Sequence, residues 1–333
     1  MAARTQGDGM ISSPLDRAFA LEAVRVTEAA AIAASLQIGR GDEHAADAAA
    51  VEAMRSSFNS LPISGTVVIG EGERDEAPML YIGEKVGTGG LAIDIALDPL
   101  EGTTLTAKAL PNALAVMAMA EPGTLLNAPD TYMDKIAIGG GYPDGLIDLD
   151  ADPKDNIIAL AKAKGVKPSE ITACIMDRPR HEKLIAAVRE VGAAVRLITD
   201  GDVAGVIATS DPATGIDIYI GTGGAPEGVL AAAALRCVGG QIQTRLAFRN
   251  DDERARAAKW GITDLRRKYS LTDMASGDVV FAATGVTDGS MLEGVHMAGN
   301  FITTESVVMR SATRTVRWIK SRHVRSRHLK DER

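Results

Sequence analysis

Cysteine, aromatic rings, excess positive charge and long apolar runs are all scarce in this chain of 333 residues. Its two cysteines, Cys174 and Cys237, lie far apart in apolar surroundings, with neither a CxxC pair nor a histidine at metal-ligand spacing. That excludes a disulfide framework and a zinc site as organising devices and predicts buried thiols. No apolar run approaches the ~20 residues of a membrane span, and the opening MAARTQGDGMISS lacks the apolar core of a secretory signal. A cytoplasmic protein with no membrane partner is expected. Lys and Arg number 36 against 44 Asp and Glu, a net charge of −8, so a polyanion meets net repulsion and nucleic acid is not an expected partner. Any anionic ligand needs a locally cationic site.

Aromatic residues make up 4% of the chain while hydrophobic residues reach 46%. The core must therefore pack through close approach of Ala, Gly and small aliphatics, which suits a layered α/β architecture. Ser13-Pro14-Leu15-Asp16 offers an N-cap, a proline at the first helical position and an acidic residue three on, so a helix is predicted to about Gly39. Asp42 caps a second helix, with Ala46, Ala50, Val51, Met54 and Phe58 as its apolar stripe and Asp47 near its start. TVVIG reads as a strand ending in the acidic loop EGERDEAP. LAIDIAL places Ile93, Ile95 and Leu97 on one face and Asp94 and Asp98 on the other, and ALAVMAMA reads as a strand buried on both sides. The turn cluster GGGYPDGLIDLDADPKDN sets the boundary between halves. Beyond it ITACIM, AAVRLI and GIDIYI form successive βα units, whose polar turns project where ligands bind in such sheets. DVVFAATG and NFITTESVVMR form a later strand pair, and no internal repeat is present. The expected division is 1–148, 149–309 and a basic tail, 310–333, that is solvated or contacts a subunit.

The stretch LDPLEGTT has two readings. In one, Asp98 is an N-cap, Pro99 opens a helix and Glu101 completes a capping box. In the other, a strand end and a tight glycine turn aim two carboxylates and several backbone N–H groups at one point, as a site for a phosphate and a cation requires. Gly102 and the threonines after it favour the second, because they are poor helix formers. Glu71 and Glu73 lie in a glycine-flanked turn after a strand; as an adjacent strand end, Glu71 comes within reach of the same ion as Asp98. An all-oxygen ligand set selects a hard divalent cation such as Mg²⁺ or Mn²⁺. GTGGAPEG fails as a dinucleotide fingerprint, since Pro226 stands where glycine is needed. There Glu227 either favours the helix dipole or is one more ligand at a helix N-terminus.

GRGD, VVIGEGERDEAPMLYIGEKVGTG, DPLEGTT, NALAV, NAPDTYM, PRH, DGDVA and GGAPEGV, in that order and over nearly the whole chain, resemble the class II fructose-1,6-bisphosphatases. These belong to the lithium-sensitive, metal-dependent sugar phosphatases. The resemblance implies an αβαβα sandwich with its active site between two halves, a homo-oligomer (dimer or tetramer), and hydrolysis of the 1-phosphate of fructose 1,6-bisphosphate. It also implies a role in gluconeogenesis and a Mg²⁺ or Mn²⁺ requirement. Asp47 and Glu71 would hold one metal, with Asp98, Glu101 and Glu227 around a second. Glu101, Gly102 and Thr103 would contact the phosphate to be removed, while Tyr132 and Gly224 would line the sugar pocket. Arg178-Pro179-Arg180 and Asp200-Gly201-Asp202 would bind the rest of the bisphosphate. Asp98, Glu71 and Thr103 are the catalytic candidates, Thr103 orienting water or a phosphoryl oxygen and Glu71 helping to take a proton.

The chain departs from the family where many relatives read G-D-K-N: Glu43 and His44 follow Asp42, replacing a cation. The segment from Arg249 to Asp273 is also shorter than in some relatives. Three other functions remain open on the sequence: action on a seven-carbon bisphosphate or an inositol phosphate, non-catalytic binding of sugar phosphates as a regulator, and nucleotide binding.

Overall fold

The computed structural model describes residues 15, 18–72 and 79–328. The predicted cap at Ser13, with Pro14 and Asp16, lies outside the described residues, as does Glu73. Helix α1 (Ala18–Ser35) ends a turn before Gly39, and α2 (Glu43–Phe58) follows. Asp42 caps α2, its Oδ1 accepting from Ala45 N at 2.9 Å, and the five predicted stripe residues are its buried ones.

Strands β1 (Ile63–Ile69), β2 (Lys85–Val86), β3 (Leu91–Glu101) and β4 (Leu114–Ala120) begin the first sheet, in which β1 and β3 run parallel and β4 runs antiparallel to β3. On β4 the burial is unbroken. Ala115, Met117 and Met119 pack with α1 and α2, while Leu114, Val116 and Ala118 face the middle of the molecule. On β3, Ile93, Ile95 and Leu97 join the α1/α2 side. The β3 strand does not stop at Asp98; its pairing with β4 shifts register between Asp98 and Glu101. Pro99 has no N–H to give to the ladder, and Asp98 Oδ1 instead accepts from Leu100 N at 3.0 Å. The capping-box reading of DPLE is therefore wrong: the short helix α3 (Thr103–Ala107) begins only after Gly102, whose φ of 93° makes the turn.

The chain then builds a second sheet. Strand β5 (Tyr132–Ile138) precedes α4 (Pro153–Lys164), β6 (Thr172–Met176), α5 (Glu182–Glu190) and β7 (Ala194–Ile198). Helix α6 (Asp202–Ala208), β8 (Ile218–Gly224), α7 (Ala225–Val238), β9 (Gln241–Ala247), α8 (Asp251–Lys259) and β10 (Tyr269–Ser270) complete it. Its order is β10-β9-β5-β8-β6-β7, with β6 parallel to both β7 and β8 as the βα rhythm predicted. Strand β7 is half-exposed because it is the sheet's edge. Strands β11 (Val279–Gly285), β12 (His296–Ala298), β13 (Phe301–Arg310) and β14 (Thr315–Val324) return to the first sheet, β11 pairing with β4 and β13 with β11 and β14. The 148/149 division falls between β5, a strand of the second sheet, and α4, which packs against that sheet, and the basic tail is largely β14.

Three cores order the layers. One joins α1 and α2 to the first sheet, a second packs α6 and α7 between the sheets, and a third joins α4 and α5 to the outer face of the second sheet. The sequence of layers is α, β, α, β, α. Cys174 and Cys237 are unpaired and buried, and burial pushes both thiols up to about 12, far from reactivity. Among the described residues no helix is long and apolar enough to cross a membrane.

Candidate active site

The two sheets present their strand ends to one cavity of about 600 Å³. Asp47 reaches it from the second turn of α2, Glu71 from the turn after β1, and Asp98 and Glu101 from the irregular end of β3. Bulges of this kind re-aim side chains beside functional sites. Glu227 comes from the first turn of α7, where Pro226 stands at the second helical position rather than the first. The glycines before it have a steric reason: a Cβ on Gly224 would overlap the Glu227 carboxylate, and one on Gly223 that of Asp202.

Two bonds fix this end of the cavity. Glu101 Oε1 accepts from Val203 N at 2.7 Å, tying the first sheet to the start of α6. Asp202, also at that start, is ion-paired with the fully buried Lys135 of β5. The Asp200-Gly201-Asp202 turn is thus held from both sides, with Gly201 at a φ of 85°. Glu101 Oε2 and Glu227 Oε2 are shut away from solvent with no hydrogen-bond partner among the described residues.

Unpaired carboxylates in one cleft resist ionisation. Burial first, then the charges of Asp47 and Glu227, raise Glu71 to about 8. Burial and the neighbouring Glu71, Glu101 and Glu227 hold Asp98 well above the usual carboxylate range. Burial, then Asp202 among others, does the same to Glu101. Glu227 is raised to about 7 by burial and by Asp202, with Lys135 opposing, and burial raises Asp47 and Asp200. As they stand, no three such side chains among the described residues close on one point tightly enough to hold an ion. Coupling by charge, rather than a shared coordination sphere, joins them. An all-oxygen set with two orphaned buried oxygens fits a hard divalent cation.

Cations meet the same cavity. Arg178 and Arg180 flank Pro179, which opens a short 3₁₀ turn and does not itself line the space. His181 anchors that turn, its Nδ1 donating to Met176 O at 2.8 Å and its Nε2 accepting from Thr222 N at 2.9 Å. Arg180 donates from Nη2 to Thr222 O at 2.7 Å and packs 5.0 Å from the centroid of Tyr132. Tyr132, Thr103, Gly102, Gly201 and Gly224 also line the cavity. Apart from Pro179, every site residue that the resemblance implied therefore lines one space.

Comparison with known proteins bears on this arrangement. The family model described as bacterial fructose-1,6-bisphosphatase, glpX-encoded, matches residues 17–323. The chain belongs to that family. It is 48% identical over 322 residues to fructose-1,6-bisphosphatase 1 class 2 of Escherichia coli strain K12, covering 92% of this chain and 95% of that protein. The same figures hold for the fructose-1,6-bisphosphatase class 2 of Shigella flexneri. Among solved structures, inositol monophosphatase from Anabaena (Nostoc) sp. PCC 7120 aligns at a TM-score of 0.30 and 14% identity, covering 58% of this chain and 72% of that one. Likeness that distant carries no weight for the site.

Sequence reasoning missed several residues of the cavity and its support. Lys135 is the buried counter-charge of Asp202; a lone lysine in the apolar strand YMDKIAI was the available signal. Arg249 lines the cavity but belongs to no motif, and Asp130 lines it from within NAPDTYM, where Tyr132 alone was singled out.

Proposed function

We infer that the protein is a fructose-1,6-bisphosphatase, a phosphoric monoester hydrolase that converts fructose 1,6-bisphosphate to fructose 6-phosphate and phosphate. Membership of the family supports the reaction. The observation that carries it is one cavity furnished with both a set of carboxylates held above their ordinary range and two arginines, Arg178 and Arg180, that pair with no carboxylate among the described residues. An acidic wall alone would repel the substrate, and a basic wall alone would bind it without reaction.

Asp47 and Glu71 would hold one divalent cation, and Asp98, Glu101 and Glu227 a second, Mg²⁺ and Mn²⁺ both suiting oxygen ligands. When bound, such ions supply Lewis acidity at phosphoryl oxygens and lower the pKa of water. The chain's own groups do the rest. Leu100 N–H holds the Asp98 carboxylate and Val203 N–H that of Glu101, so both are preorganised. Thr103 orients the attacking water or a phosphoryl oxygen, and Glu71 accepts the water's proton. Glu101, Gly102 and Thr103 border the 1-phosphate; Tyr132 and Gly224 border the sugar. Asp200 accepts from sugar hydroxyls, whereas Asp202 has one oxygen engaged by Lys135. Arg178 and Arg180 bind the distal phosphate through forked donors, set in place by the turn at Pro179.

On this reading residues 1–148 supply most of the metal and phosphate site, residues 149–309 most of the sugar-phosphate site, and 310–333 a basic tail. The same reading includes a place in gluconeogenesis, the cytoplasm, and a homo-oligomer. The test is phosphate release from fructose 1,6-bisphosphate with Mn²⁺, with Mg²⁺ and after chelation, alongside sedoheptulose 1,7-bisphosphate. Metal-dependent release, faster on the six-carbon substrate, is expected. No release with either metal overturns the reading, and faster release from the seven-carbon substrate moves the assignment to that sugar.

A further inference from the structure

We propose that Arg249 is a further substrate-contacting residue that determines specificity for a bisphosphate over a monophosphate, by gripping the distal phosphate beside Arg178 and Arg180. The proposal rests on the reading of the cavity as a sugar-bisphosphate site.

Arg249 stands just beyond β9, whose Ala247 is the register partner of Tyr132 on β5. That pairing brings the segment after β9 to the mouth of the cavity, which Arg249 lines. Its place is set from below by Glu253 of α8, 1% exposed. Glu253 Oε2 accepts from Arg249 N at 2.7 Å and from Thr131 Oγ1 at 2.8 Å, while Oε1 accepts from Arg249 Nε at 2.5 Å. Only Nε of the guanidinium is used. The two terminal nitrogens have no hydrogen-bond partner among the described residues, although the side chain is half-exposed beside the cavity. An arginine serving only to neutralise Glu253 has no need to stand on the cavity wall.

The guanidinium carbon of Arg249 lies 4.5 Å from the Tyr132 centroid, and that of Arg180 lies 5.0 Å from the same centroid. One ring therefore carries two cations at the rim of the site. Stacking on an aromatic ring orients a guanidinium and leaves its edge free to donate. Two like charges on one ring repel unless an anion joins them, and Arg180 makes no ion pair among the described residues; its bonds go to the neutral Thr222 carbonyl. A phosphate monoester dianion supplies the missing charge and accepts from forked donors on both sides. The Glu253 tether removes rotamer freedom from Arg249 before substrate arrives, which lowers the entropic cost of binding.

The test compares wild type with Arg249→Ala, Arg249→Gln and Arg249→Lys on fructose 1,6-bisphosphate and on fructose 1-phosphate, which lacks the distal phosphate. Thermal melting establishes that each variant is folded, and Arg249→Gln keeps a donor for Glu253 where the alanine variant loses it. For both Ala and Gln the expected result is a rise of about tenfold or more in KM for the bisphosphate with kcat within about threefold. KM for the monophosphate stays unchanged, and Lys recovers part of the loss. Calorimetric titration with fructose 6-phosphate reads the same grip without turnover, and Arg249→Gln should weaken it by a similar factor. An equal rise in KM on both substrates, or unchanged KM and unchanged fructose 6-phosphate affinity in a folded Gln variant, overturns the proposal. If wild type releases no phosphate from the bisphosphate yet Arg249→Gln still weakens fructose 6-phosphate binding, the hydrolytic reading fails and the assignment of Arg249 stands.

Discussion

Acidic residues in this protein live in two different worlds. On the outer surface they are matched: Asp150 is lowered to about 2 by hydrogen bonds from Arg245 and Lys268, and Asp148 shares that lysine. Even the buried Glu28 ends below its ordinary value, because His323, Ser321 and Thr304 together outweigh the upward push of burial. In the cavity the reverse holds, and Glu71, Asp98, Glu101 and Glu227 are all raised, burial being the first cause and neighbouring carboxylates adding to it. Of the chain's 36 basic side chains, Lys135 is the one that forms an ion pair with a carboxylate of the cavity among the described residues. The contrast teaches that the cavity's negative charge is reserved for something the chain does not itself supply.

The sharpest way to break the comparison is to remove one acid from each world. Asp98→Asn should cut the rate of phosphate release from fructose 1,6-bisphosphate on the order of 10³-fold, whereas Asp150→Asn should leave it within about twofold, since exposed ion pairs contribute little. Equal effects would erase the distinction. Next in size is Lys135→Met, which leaves Asp202 buried without its partner; unfolding should become easier by about 3–5 kcal/mol, read by urea titration.

Linkage sharpens the contrast further. The unfolded chain ionises its glutamates near the ordinary value, but folded Glu71 keeps its proton to about 8 and Glu227 to about 7. The folded state binds more protons between these limits, so the contribution is complete below about pH 4.5 and is lost as pH rises through 7 to 8. Metal-free protein should melt several degrees lower at pH 8 than at pH 5, and saturating Mn²⁺ should remove most of that slope. A flat profile without metal would contradict the raised values. The smallest effect is expected at the arginine turn: Arg178→Ala should raise KM by about tenfold and leave Tm unaltered, measured by steady-state kinetics and melting.

Much of this was legible from residue order. The apolar stripe of α2, the buried β4 run and the parallel βα units follow from local periodicity, which is a property of neighbours in the chain. DPLEGTT was legible as a strand end, and its capping-box alternative failed because β3 runs on through Glu101. The expectation that the threonines oppose a helix was wrong, since Thr103 and Thr104 open α3 once Gly102 has made the turn. What stayed hidden depends on contacts between distant segments. Nothing near Val203 announces that its N–H serves Glu101, a hundred residues earlier. Nothing in YMDKIAI names Asp202 as the partner of Lys135, and no motif surrounds Arg249, whose meaning comes from the Tyr132 ring it covers. The return of β11–β14 to the first sheet was equally invisible, since the pair was recognised but its neighbour was not.

That return has a consequence for how the protein is made. Strand β4 gains its β11 neighbour only after the ribosome has passed residue 285. Until then a seven-residue row of Leu, Ala, Val and Met has an open edge and no charge to guard it, the kind of segment that sticks to other nascent chains. Rapid translation or crowded expression should therefore penalise this protein at the level of yield, well before any question of its chemistry arises.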